Sequence, residues 1–129
     1  MDFPNGLLYS KDHEWALHGS DDVVTVGITD HAQEALGEVV YVELPKTGRE
    51  LKAHETFGVV ESIKAVSDLY SPVAGTVVAV NDTASGDPSL INSSPYEKGW
   101  IVKIKLSDKN SLSSLMNATD YRKLVDSLK

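Results

Sequence analysis

The chain has 129 residues, with 12 lysines and arginines against 19 aspartates and glutamates, giving a formal net charge of −7 with neutral histidines. Hydrophobic residues at 41% and charged residues at 24% suit one globular domain and exclude a disordered chain. The acidic balance argues against nonspecific nucleic-acid binding and anionic membranes, and the lack of cysteine excludes disulfides, thiolate metal sites and a cysteine nucleophile.

Met1 to Ser10 contains proline and glycine breakers and no cationic region before an apolar stretch, so no signal peptide is expected. The first arginine is Arg49, which also argues against an Arg-rich transit segment. A bacterial cytoplasmic protein is the expectation, with the mitochondrial matrix as the alternative for a processed eukaryotic chain. No apolar run approaches the roughly 20 residues needed to span a bilayer.

Val24, Val26 and Ile28 alternate with Val23, Thr25 and Gly27, a period of two that predicts a strand. Thr29-Asp30, then His31–Leu36 and Gly37, reads as a short helix with a polar N-cap and a glycine after its end. Val39–Leu44 is a second strand, stopped by a turn at Pro45-Lys46-Thr47-Gly48. Phe57–Ser62 and Thr76–Val80 are two more. Val66–Tyr70 with Ser71-Pro72-Val73-Ala74-Gly75 echoes the Val39–Gly48 pattern, which suggests a pseudo-twofold about Ser62–Ala65.

Asn81–Asn92 lacks periodicity and is expected to be a long loop. In Trp100–Leu106 the residues Trp100, Val102, Ile104 and Leu106 fall on one face, with Lys103 and Lys105 on the other. Ser111–Met116 places Leu112, Leu115 and Met116 at one-face helical spacing. A final helix is expected after Asn117, capped by Thr119, with Tyr121, Leu124, Val125 and Leu128 covering an open edge of the β core. Many short strands between turns predict a mainly β sandwich or barrel with peripheral helices. One domain spans 1–129, its core at about 23–106 and a C-terminal helical segment at about 111–129.

Glu61-Ser62-Ile63-Lys64-Ala65 is the segment richest in chemistry. Two β-prone runs flank it, so Lys64 is expected at an accessible hairpin tip. His13, His18, His31 and His54 show no short His-x₃₋₅-His spacing, and no metal site is expected. No Gly-x-Ser-x-Gly elbow and no phosphate-binding glycine motif is present, which argues against a hydrolase or nucleotide enzyme. Trp15 and Trp100 read as core or cleft-wall aromatics.

The chain resembles the H proteins of the glycine cleavage system, in the lipoyl and biotinyl carrier superfamily. The matches run through Tyr9-Ser-Lys-Asp-His13-Glu14-Trp15, Val26-Gly27-Ile28-Thr29, Leu36-Gly37-Glu38-Val39-Val40, Leu44-Pro45 and Gly48. They continue with Val60-Glu61-Ser62-Ile63-Lys64-Ala65, Ser71-Pro72, Gly75, Leu90-Ile91-Asn92, Pro95-Tyr96 and Gly99-Trp100. The resemblance implies a hybrid of barrel and sandwich, with lipoic acid in amide linkage on Lys64. It implies a nonenzymatic carrier that takes an aminomethyl group from a pyridoxal-phosphate glycine decarboxylase (P protein) to a tetrahydrofolate-dependent aminomethyltransferase (T protein). A dihydrolipoamide dehydrogenase (L protein) then reoxidises the arm, which a lipoate ligase or lipoyl transferase first attaches.

An ammonium cargo asks for carboxylates in a cleft with apolar walls. Glu14, Asp68 and Asp12 are the expected residues: Glu14 lies in the His-Glu-Trp element, and Asp68 lies four residues after Lys64. Biotinyl carriers usually place methionines beside the lysine, where Ile63 and Ala65 stand here. Carriers of 2-oxoacid dehydrogenases are usually smaller and linked to a catalytic domain. A protein that relays lipoate to other complexes stays open as an alternative.

Overall fold

Val24, Val26 and Ile28 are buried on one side of a six-residue strand, as their spacing predicts, and the rest of the fold assembles around that strand. The computed structural model describes residues 1–128. In chain order the strands are β1 (Leu8–Tyr9), β2 (Glu14–His18), β3 (Val23–Ile28), β4 (Val39–Glu43) and β5 (Glu50–Leu51). They continue as β6 (Thr56–Ser62), β7 (Val66–Tyr70), β8 (Gly75–Val80) and β9 (Val102–Leu106). The α-helices are α1 (Asp30–Leu36), α2 (Asp82–Gly86), α3 (Ser89–Ser93) and α4 (Ala118–Ser127).

The strands form a six-stranded sheet in the order β1-β2-β3-β9-β8-β5 and a three-stranded sheet in the order β4-β6-β7. Every pairing is antiparallel. Val24, Val26, Val77 and Ile104 from the large sheet meet Val42, Val60 and Leu69 from the small one in a single apolar core. This is the hybrid of barrel and sandwich that the resemblance implies. The two echoing segments lie on either side of β6, and the chain leaving each turn pairs with the other, Glu50 opposite Thr76 and Leu51 opposite Gly75.

A second cluster lies where α4 meets β1 and β2. It holds Phe3, Tyr9, Trp15, Tyr121 and Val125. The Tyr9 and Tyr121 rings stack 4.7 Å apart with 7° between their planes, and Phe3 meets Tyr121 edge-on at 5.0 Å. The Trp15 Nε1–H donates to the Pro95 carbonyl at 2.9 Å, which satisfies its one polar atom. Gly27 faces that indole across the β2–β3 pair, and a Cβ there would lie 2.7 Å from its ring atoms.

Several sequence expectations need correction. Asn81–Asn92 is no loop: it forms α2 and α3, with the Asn81 side chain accepting from the Ala84 N–H. Each helix is about one turn long, too short for a 3.6-residue period to show. The final helix is capped by Asn117, whose side chain accepts from the Asp120 N–H at 2.8 Å, and Thr119 lies inside the helix. Tyr121 and Val125 are buried, but Leu128 is exposed and adds nothing to the buried stripe. The expected segment ends at residue 129, which lies outside the described residues.

Lys109–Ser114 is a 3₁₀ helix rather than an α-helical turn over Ser111–Met116. Trp100 precedes β9 and packs on the second cluster, its ring 5.1 Å from the Lys103 ammonium. Its place on the Val102–Ile104 face therefore does not hold. Thr29 and Gly37 cap α1 as expected, Thr29 Oγ1 accepting from the Ala32 N–H.

Gly27→Ala is expected to destabilise the protein by about 1–3 kcal/mol, because the added methyl overpacks the Trp15 indole. Chemical denaturation with tryptophan fluorescence as the probe measures it.

Candidate functional site

The β6–β7 hairpin closes through the hydroxyl of Ser62. The Ser62 N–H donates to the Ala65 carbonyl at 2.8 Å, while Ser62 Oγ accepts from the Ala65 N–H at 3.1 Å and the Lys64 N–H at 3.3 Å. A turn satisfied by its own serine leaves Ile63, Lys64, Ala65 and Val66 exposed. Lys64 stands at the tip, as its flanking strands predict.

The tip leans on the end of α1. The Ile63 N–H donates to the Glu38 carbonyl at 3.2 Å, and the Lys64 stem lies across Gly37. A Cβ at Gly37 would come 3.2 Å from Lys64 Cε, and φ is +82° there, so glycine meets both demands. Asn92 of α3 braces the same corner. Its Oδ1 accepts from the Val39 N–H at 2.8 Å, and its Nδ2 donates to the Gly37 carbonyl at 2.9 Å and to Gln33 Oε1 at 3.0 Å. The lysine amine is accessible and its methylenes are cradled, which fits an amide-linked acyl arm.

Along α1 a cleft of about 290 Å³ opens between the β1–β2 loop, the helix and β7. Asp12, Glu14 and Asp68, far apart in the chain, all line it. Ile28, Ala32, Leu36 and Leu69 supply apolar wall. From His31 in the cleft to Gly37 under Lys64, α1 rises only ~9 Å.

The β1–β2 loop sets the acids in place. Ser10 N–H donates to the Glu14 carbonyl, His13 N–H donates to the Ser10 carbonyl, and His13 takes the left-handed φ of +69°. That is a three-residue hairpin loop with histidine in the position glycine usually fills. Ser10 Oγ–H donates to Glu14 Oε1 at 2.6 Å, and the Tyr70 N–H points at Glu14 Oε2 from 3.4 Å. Tyr70 lies on the free edge of the small sheet, so this contact ties the loop to β7.

Glu14 is 2% exposed, and burial pushes its carboxyl up to about 8 despite the Ser10 hydrogen bond. Asp68 is exposed on β7. Asp12 is half-buried, its Oδ2 3.9 Å from His54 Nδ1.

Sequence reasoning weighed the histidines as metal ligands only and missed that His13 and His31 line the same cleft. Their rings lie 4.7 Å apart, and His13 Nδ1 meets the Tyr121 hydroxyl at 2.8 Å. Burial and the neighbouring His31 hold the His13 imidazole below its ordinary range. The adjacency of His13 to Glu14 was the available signal; the contribution of Tyr121, 108 residues away, had none. Among the described residues no cluster of three or more potential ligands is placed to hold a metal ion.

A lysine on a hairpin tip of a two-sheet barrel-sandwich, with a groove beside it, is the architecture of the lipoyl carriers. A family model of the glycine cleavage H-protein matches residues 7–128. The glycine cleavage system H protein of Chromohalobacter salexigens is 57% identical over 122 residues, covering 95% of this chain and 93% of that relative. The H protein of Escherichia coli is 52% identical over 123 residues, covering 95% of each. The crystal structure of a glycine cleavage system H protein from Mycobacterium marinum superposes with a TM-score of 0.88 at 39% identity, covering 96% of this chain and 99% of that one. The chain belongs to the glycine cleavage H-protein family.

The raised Glu14 carboxyl has a definite effect on stability. Between pH about 4.5 and about 8 the folded protein holds a proton that the unfolded chain has released, so this group's contribution falls as pH rises through that window. Glu14→Gln is expected to abolish that component. Its melting temperature relative to wild type should rise by at least ~4 °C from pH 5 to pH 8.5, measured by calorimetry.

Proposed function

We propose that Lys64 is the attachment point for lipoic acid, acylated on Nζ by a lipoate ligase or lipoyl transferase. The observation that carries this reading is the Ser62-closed tip, which exposes the Lys64 amine while Gly37 makes room for its stem. Acylation converts an ammonium into a neutral amide, and the group supplies a dithiol–disulfide couple at the end of a flexible tether. With no cysteine in the chain, no other thiol competes with that couple.

The chain acts as a nonenzymatic carrier of one domain over residues 1–129. It shuttles an aminomethyl group from the glycine decarboxylase (P protein) to the aminomethyltransferase (T protein), with dihydrolipoamide dehydrogenase (L protein) restoring the disulfide. Tethering keeps the cargo at high local concentration for each partner in turn. Its place of action is the bacterial cytoplasm, or the mitochondrial matrix for a processed eukaryotic chain. Among the described residues no helix is long and apolar enough to cross a membrane.

Glu14, Asp68 and Asp12 serve the cargo in this reading. A primary ammonium entering the cleft favours the ionised form of Glu14, so binding a cation draws a proton off that carboxyl. Ile28, Ala32, Leu36 and Leu69 limit the water that would hydrolyse an S–C–N linkage.

Two measurements test the reading. Intact-mass analysis after incubation with a lipoate ligase, lipoate and ATP should show one added lipoyl mass, and Lys64→Arg should show none; an unchanged wild-type mass refutes the attachment. Loaded Glu14→Gln should release formaldehyde and ammonia about tenfold faster than loaded wild type, since it loses a charge-assisted contact. An unchanged release rate removes Glu14 from the cargo site.

A further inference from the structure

The aromatic cluster at α4 shares no residue with the main core between the two sheets. One of its members, Phe3, comes from residues 1–6, which belong to no strand or helix. That segment is tied down all the same. The Asp2 N–H donates to Asp30 Oδ2 at 2.9 Å, and the Asp2 carbonyl accepts from the Tyr96 hydroxyl at 2.6 Å. The Tyr9 hydroxyl donates to the Pro4 carbonyl at 2.6 Å. Phe3, between these ties, is 5% exposed, meets Tyr121 edge-on and lies 4.9 Å from the Arg122 guanidinium.

Tyr121 is therefore gripped by two parts of the chain, its ring stacked on Tyr9 of β1 and met by Phe3 of the strap. Its hydroxyl lies 2.8 Å from both Thr29 Oγ1 and His13 Nδ1. The helix that carries it has ten residues. Isolated helices shorter than ~12–15 residues are marginal in water, so α4 persists only while Ala118, Tyr121 and Val125 stay packed. Between strap and β1 the chain passes through exposed Asn5 and Gly6. Gly6 has a φ of +91° and open space where a Cβ would stand, which makes it a hinge.

We propose that residues 1–6 are a clasp, and that clasp and α4 form one cooperative unit that opens while the β core stays folded. Opening withdraws Phe3 from Tyr121, and the short helix then loses the packing that sustains it. Tyr121 leaves Thr29 and His13 in the same event, and Asp30 loses Asp2. The start of α1 thus gives up two ties at once, which couples the C-terminal helix to one wall of the cleft. The Lys64 tip is closed by Ser62 and leans on Glu38, so the clasp works alike whether that lysine is acylated or bare.

A peripheral cluster with its own anchors is the kind of unit that opens below the global unfolding energy. Native-state hydrogen exchange of the full chain in dilute guanidinium chloride tests it. The α4 amides should share one opening, roughly tenfold or more faster than the slowest amides of β3 and β9 and with a smaller denaturant dependence. A single opening shared by α4, β3 and β9 overturns the proposal. Phe3→Ala should speed α4 exchange roughly tenfold or more, by removing the anchor of the clasp. Tyr96→Phe keeps the ring and deletes only the hydroxyl that holds Asp2, so it serves even if the larger change prevents folding. It should speed α4 exchange about threefold. Exchange of α4 at the wild-type rate in either folded variant overturns the clasp.

Discussion

The contact on which the site depends is the buried Glu14 carboxyl, held between the Ser10 hydroxyl and the Tyr70 N–H. It joins the end of the large sheet to the free edge of the small one. A carboxyl in that position costs desolvation, and its raised affinity for a proton is the measure of that cost. Structural need alone would be met by an apolar side chain. In the proposed reading, a carboxyl kept uncharged when alone and ionised beside a cation suits a cleft that receives an ammonium.

The second determinant is α1, which forms one wall of the cleft. Thr29 caps its start within the Tyr121 network, and Gly37 ends it beneath Lys64. Asn92 locks that end to β4 and α3. One short helix with both ends anchored therefore lines the cleft and ends beneath the lysine. The C-terminal helix does more than cover an open edge, because its Tyr121 closes the hydrogen-bond chain that orients a cleft histidine.

Much of this was legible in the residues. The alternation in Val23–Ile28 and the apolar runs at Val39–Leu44 and Phe57–Ser62 announce strands because a half-buried sheet imposes that spacing. Thr29 and Gly37 mark the ends of α1 by capping chemistry, and Lys64 stands out through its flanks. The gathering of Asp12, Glu14 and Asp68 was anticipated through the resemblance rather than through spacing, since no local period links residues 12 and 14 to 68. The short helices α2 and α3 leave no signal because a single turn carries no period, and residue type does not choose between Asn117 and Thr119 because both suit an N-cap. The histidine pair depends on side-chain contacts across 18 residues between His13 and His31 and on a tyrosine near the C-terminus. Sequence pattern does not encode such contacts.

The free edge of β7 has a consequence for how one copy of the chain meets another. An unpaired strand beside exposed Val66 is the kind of border on which a neighbouring molecule adds a strand and starts a stack. Here the Tyr70 amide is already committed to a carboxyl from the same molecule, and Asp68 puts a charge on that strand. The cleft thus doubles as a guard against edge-to-edge polymerisation, and the residues that shape the pocket also help keep the protein dispersed.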